Sequence, residues 1–130
     1  MYHCDLMIQC NTSHFPLSRA ILSSIVIANS VQQEGGHICR GAILSGAAYP
    51  APYNELLTGL TPGCFSNSLH CIGENDDVNP PADARKIKDL LGGNEIVHNN
   101  GHTMPLDTES INKYNDFLKK VVLGIEQTEL

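Results

Sequence analysis

Ser68-Leu69-His70-Cys71-Ile72-Gly73-Glu74-Asn75-Asp76-Asp77-Val78-Asn79-Pro80-Pro81 is the stretch from which the rest of this 130-residue chain can be laid out. It opens with an apolar run of strand length, turns at Gly73 and delivers a carboxylate just beyond. An amphipathic segment follows. Asn94-Glu95-Ile96-Val97-His98-Asn99-Asn100-Gly101-His102 then repeats the form, a short strand and a loop that delivers an imidazole. Pro80 and Pro81 begin the helix between them. Ala84, Ile87, Leu90 and Leu91 give it a buried stripe at helical spacing, and Gly92-Gly93 stops it. Strand, helix and strand make one βαβ unit with parallel strands. Asp76 and His102, 26 residues apart, then both lie beyond the carboxyl ends of neighbouring strands, where open α/β sheets bind ligands.

The same reading extends outward. Cys39-Arg40-Gly41-Ala42-Ile43-Leu44-Ser45-Gly46 is an apolar run closed by Gly46-Ala47-Ala48, as expected of a central parallel strand. Tyr49-Pro50-Ala51-Pro52-Tyr53 holds no regular element, because each proline restricts itself and its predecessor. Residues 54–60 suit a brief helix, and Thr61-Pro62-Gly63 is a turn. Upstream, Leu17, Ile21, Ile25 and Ala28 recur at helical steps, so residues 17–33 read as a helix ended by Glu34-Gly35-Gly36. Leu6-Met7-Ile8 suits a short strand, with a turn over residues 11–14. At the other end Asp107 caps a last helix, whose stripe is Ile111, Tyr114, Phe117, Leu118, Val121 and Val122. The order β-α-β-(loop/α)-β-α-β-α predicts an α/β fold, a parallel sheet of three to four strands with flanking helices. Residues 1–15 form a poorly defined N-terminal segment, 16–124 the domain and 125–130 a tail.

Composition narrows the function classes. A formal net charge of −6 and the lack of a Lys/Arg cluster argue against a nucleic-acid partner. Five cysteines, an odd number with no CxxC pair, read as reduced thiols and point to the cytoplasm. No signal peptide is visible, and no apolar stretch approaches the roughly 20 residues of a membrane span. His3, Cys4, Cys10 and His14 match no zinc spacing, Asp76 and Asp77 lack the calcium-loop pattern, and no glycine-rich phosphate loop follows a strand. No metal or cofactor is therefore expected. Within the strands and their ends, His70 reads as a packed or hydrogen-bonded histidine and His98 as part of the loop geometry.

An acid followed by a histidine, each after a parallel strand, is two-thirds of a hydrolytic triad in the chain order of α/β hydrolases. Three segments together resemble the C-terminal half of the FSH-type serine hydrolase family: Ala42-Ile43-Leu44-Ser45-Gly46, Leu69-His70-Cys71-Ile72-Gly73-Glu74-Asn75-Asp76-Asp77-Val78 and His98-Asn99-Asn100-Gly101-His102-Thr103-Met104-Pro105. The resemblance covers roughly residues 40–122. In that family the acid stands three positions after the strand's glycine, and the base ends a His-x-x-Gly-His run. On the matching positions the acid is Asp76, with Asp77 as the alternative, and the base is His102.

The resemblance implies a small serine esterase acting on a small-molecule ester or thioester. Its nucleophile would stand in a Gly-x-Ser-x-Gly elbow. The window in register is Pro16-Leu17-Ser18-Arg19-Ala20, which makes Ser18 the candidate, with Ser45 the other serine considered. Pro16 departs from the pattern, since proline replaces the elbow's first glycine and removes an N–H from a central strand. The residues before Ser18 suffice for one strand, so the chain reads as a hydrolase domain incomplete at its N-terminus and of little activity alone. A non-catalytic homologue serving as an interaction module, or a truncated gene product, are the alternatives. The unpaired edge of the Leu6-Met7-Ile8 strand, with no lysine before Lys86 to guard it, predicts a homodimer through that sheet edge.

Overall fold

A computed structural model describes residues 7–10, 41–49, 51 and 54–124 of the chain. Four strands, β1 (Met7–Cys10), β2 (Ala42–Ser45), β3 (Ser68–Gly73) and β4 (Asn94–His98), form one sheet in the order β1-β2-β3-β4, all parallel. Among the described residues three helices accompany them: α1 (Asn54–Thr58), α2 (Pro81–Leu91) and α3 (Thr108–Leu123). The expected α/β class and parallel sheet are what the chain adopts. The first strand begins at Met7 and runs through Cys10, beyond the Leu6-Met7-Ile8 expected, because its four residues pair in register with the four of β2, Met7 with Ala42 and Cys10 with Ser45. The helix expected over residues 17–33, and Ser18 within it, lie outside the described residues.

Every residue of β2 and β3 is buried, as in a strand covered on both faces. Side chains of a strand alternate between faces, and the core divides accordingly. Ala42 and Leu44 of β2 and Ile72 of β3 pack with Leu57, Phe65, Ala84, Ile87 and Leu91, which is the α1–α2 side. Ile43, Leu69, Cys71 and Ile96 pack with Tyr114, Phe117 and Val121 of α3. The sheet is thus the middle of three layers. In β4 Ile96 alone is buried, as suits a strand at the end of the order.

The helices begin and end where their sequences direct. Pro81 opens α2, where the N–H that proline lacks is one a first turn leaves unpaired in any case. Asp107 caps α3, accepting from Ser110 N at 3.0 Å and from the Ser110 hydroxyl at 2.7 Å. These two hydrogen bonds hold the Asp107 carboxyl below its ordinary pKa. The buried stripe of α3 is Ser110, Tyr114, Phe117 and Val121, at steps of four, three and four. Ile111 and Val122, expected in that stripe, are exposed. Each is one residue off the buried line, about 100° around the helix, and the cap places small Ser110 in the line instead. Among the described residues no helix is long and apolar enough to cross a membrane.

Candidate functional site

The carboxyl ends of β2, β3 and β4 converge on one polar cluster. Gly73 ends β3 opposite His98, the last residue of β4, so the loops that follow leave the sheet side by side. They are then laced together. Glu74 N donates to His98 O at 2.8 Å, Asn75 N to Asn100 O at 3.3 Å, and the Asn75 amide to Asn99 O at 2.6 Å. Beyond His102, the Tyr114 hydroxyl donates to Pro105 O at 2.8 Å and fastens the second loop to α3.

This lacing brings Asp76 and His102 together. His102 Nδ1 lies 2.8 Å from Asp76 Oδ2. A carboxylate only accepts, so Nδ1 carries the proton and Nε2 holds the lone pair of the neutral ring. The other carboxylate oxygen, Oδ1, accepts from Val78 N and Asn79 N, each at 2.9 Å. Those bonds matter because the Asp76 side chain is only 3% exposed, and a buried carboxylate must be compensated by hydrogen bonds or opposite charge. Asp77, the alternative acid, is exposed; the carboxylate against His102 is that of Asp76.

The third element of the cluster is the end of β2. Gly46 has φ +60°, in the left-handed region, and a Cβ there would stand 2.8 Å from both Cε1 and Nδ1 of His102 and 3.1 Å from Asp76 Oδ2. Glycine is therefore required on two counts, backbone conformation and the approach of the ring. Gly46 N donates to Cys71 O at 3.1 Å, while Gly46 O accepts from the Asn79 side chain at 2.8 Å. The loop beyond β2 is pinned to α2, where Tyr49 N donates to the Asp83 carboxylate and Lys86 lies 5.0 Å from the Tyr49 ring centroid. Ser45, one residue before Gly46, is buried at the end of β2. The expected nucleophile, Ser18, lies outside the described residues.

The other two histidines among the described residues, His70 and His98, differ from His102. His70 is 1% exposed, and its Nε2 lies 2.9 Å from Ser68 Oγ and 3.1 Å from Gly92 O. Because Gly92 O only accepts, Nε2 carries the proton. Burial pushes the pKa of His70 down to about 4, so the ring is neutral at pH 7. His98 also has its pKa lowered, chiefly by burial, against the nearby Asp107 and Asp76 carboxylates. Among the described residues no group of three or more His, Cys, Asp or Glu side chains is arranged to hold a metal ion. Two site residues escape a reading of the sequence. Gly46 carries a visible signal, a glycine closing an apolar run, but Asn79 carries none.

Compared with known proteins, the chain matches no family model, no curated protein and no solved structure.

Proposed function

We propose that the chain is a serine-hydrolase domain of the FSH type, with His102 as general base and Asp76 as the acid that orients it. The observation that carries this reading is the 2.8 Å hydrogen bond from His102 Nδ1 to Asp76 Oδ2 at the carboxyl ends of parallel strands. In the proposed reaction Ser18 Oγ attacks the carbonyl carbon of a small-molecule ester or thioester, and His102 Nε2 takes the hydroxyl proton. The proton then passes to the departing alcohol or thiol, and water releases the acyl group by the reverse use of the same base. Asp76 holds the ring in the tautomer that keeps Nε2 available and stabilises the imidazolium as it forms. Turnover is expected to be slow, because Pro16 replaces the elbow glycine. An oxyanion donor displaced with the elbow would cost roughly 2.7–4 kcal/mol of transition-state stabilisation.

A fluorophosphonate probe tests the assignment. The expected result is labelling at Ser18 that disappears in Ser18→Ala and slows in His102→Ala. Failure to label any serine, at a concentration that labels a reference esterase, would leave a binding module as the better account. The same reading puts the protein in the cytoplasm. It also expects a homodimer through the outer edge of β1, beyond which no further strand is found among the described residues. Size-exclusion chromatography with light scattering should show twice the chain mass at micromolar concentration, and a sharp monomer peak would remove the dimer.

A further inference from the structure

Asn79 is the residue that joins the three parts of the polar cluster. Its backbone N–H supplies one of the two hydrogen bonds on Asp76 Oδ1, which leaves Oδ2 for His102. Its side-chain amide donates at 2.8 Å to Gly46 O, 33 residues away on the end of β2. Gly46 is the wall against the His102 ring, close enough that an added Cβ would collide with it. Its peptide is held on both sides, from β3 through Gly46 N and from the acid's own loop through Asn79. Removing the amide would free one of those sides, and the glycine, lacking a Cβ, has wide backbone freedom to turn away.

We propose that Asn79 is a positioning residue for the Asp76–His102 pair. By clamping Gly46 O to the loop that carries Asp76, it sets the wall against which the His102 ring rests and thereby the alignment of Nδ1 with Oδ2. Asn79 touches neither the ring nor a reacting atom by this account; it acts through Gly46 and Asp76. The chemistry selects the residue type. A carbonyl oxygen needs a donor, so asparagine satisfies the clamp and an isosteric aspartate, which presents only acceptors, opposes it.

The test follows the hydrogen bond itself by NMR of the full chain. A His102 Nδ1 proton shared with a buried carboxylate resonates far downfield of the amide envelope, and its assignment is fixed by its loss in His102→Gln. Asn79→Asp and Asn79→Ala should each broaden or remove this resonance, and Asn79→Gln, which keeps the amide donor, should restore it at least in part. Where a variant fails to fold, the comparison of the remaining two decides. A folded Asn79→Asp or Asn79→Ala with the parental resonance overturns the proposal, as does a loss in Asn79→Gln equal to that in Asn79→Asp. A second arm, which rests on the hydrolase reading, is fluorophosphonate labelling, expected to slow about tenfold or more in Asn79→Asp. No labelling of the parent chain with an Asn79-dependent resonance would sink the hydrolase reading and leave the positioning role standing.

Discussion

His70 Nε2 and His102 Nδ1 each lie at hydrogen-bond distance from a partner, at 2.9 Å and 2.8 Å respectively, yet their surroundings differ in kind. His70 lies within β3 and meets a hydroxyl and a carbonyl, both neutral. His102 lies beyond the carboxyl end of β4 and meets a carboxylate that is itself held by two backbone N–H groups. Each place is closed by a glycine in the left-handed region, Gly93 (φ +88°) against Ser68 and Gly46 (φ +60°) against His102. Similar hydrogen bonds therefore serve opposite ends. Neutral partners and deep burial fix a ring in its uncharged form and make it a packing element. A buried carboxylate with its own hydrogen bonds instead fixes the ring's tautomer and orientation, with the proton on Nδ1.

The largest effect should come from altering the partner of His102. Asp76→Asn keeps an oxygen for Val78 N and Asn79 N but turns an N–H₂ toward Nδ1, which drives the ring to the other tautomer. Fluorophosphonate labelling should slow by roughly two to four orders of magnitude while the fold persists. An unchanged labelling rate would mean that the pair is no more than structural. Gly93→Ala attacks the other place through stability. Its Cβ would fall inside contact distance of the Ser68 backbone carbonyl, in a conformation alanine avoids. Backbone strain and overpacking together predict a loss of roughly 4 kcal/mol in urea unfolding.

The third expectation is a pH dependence. His70 has its folded pKa lowered to about 4 from an ordinary 6.5, with burial the first cause and Lys88 adding to it against Asp89 and the Gly92 carbonyl. Between those values the unfolded chain binds a proton that the folded chain refuses. Stability is thus full above pH 6.5 and falls as pH drops toward 4, by about 3 kcal/mol in total. His70→Gln should remove that part of the slope in unfolding measured from pH 7 to pH 4.5, and an unaltered slope would show that the ring titrates normally. The smallest effect is that of Gly46→Ala. Its neighbour is a side chain that can give way, so the loss should be about 2 kcal/mol, mostly from the left-handed backbone. Labelling should nevertheless fall sharply, because what gives way is the His102 ring. Equal losses of stability in the two glycine variants would erase the distinction between a rigid and a yielding neighbour.

What could be read beforehand follows from the same contrast. The strands and α2 were legible because apolar runs ended at Gly46, Gly73 and Gly92, and because Pro81 marks a first turn. The spacing of Asp76 and His102 on one βαβ unit was enough to bring them to one end of the sheet. Periodicity located the stripe of α3 but missed its phase at both ends, since Ile111 and Val122 stand one residue beside the buried line. The His70 environment is invisible in sequence because its partners, Ser68 and Gly92, are assembled by the packing of α2's C-terminal end on β3. Asn79 was missed for a related reason: its partner Gly46 lies on the strand before, and nothing local distinguishes it from any loop asparagine.

The strand order has a consequence in time. Each strand pairs with the one made just before it, so a chain emerging from the ribosome can add β2, β3 and β4 to the growing edge in turn. Asp76 leaves with β3 and takes its bonds from Val78 and Asn79 at once. The imidazole comes with the last strand, and docking of β4 completes the pair. That strand is also the least buried of those whose side chains are described, and edge strands are among the first to fray. The strand added last is therefore the element whose detachment would undo the pair, and a chain stopped short of residue 94 would carry an acid with nothing to orient.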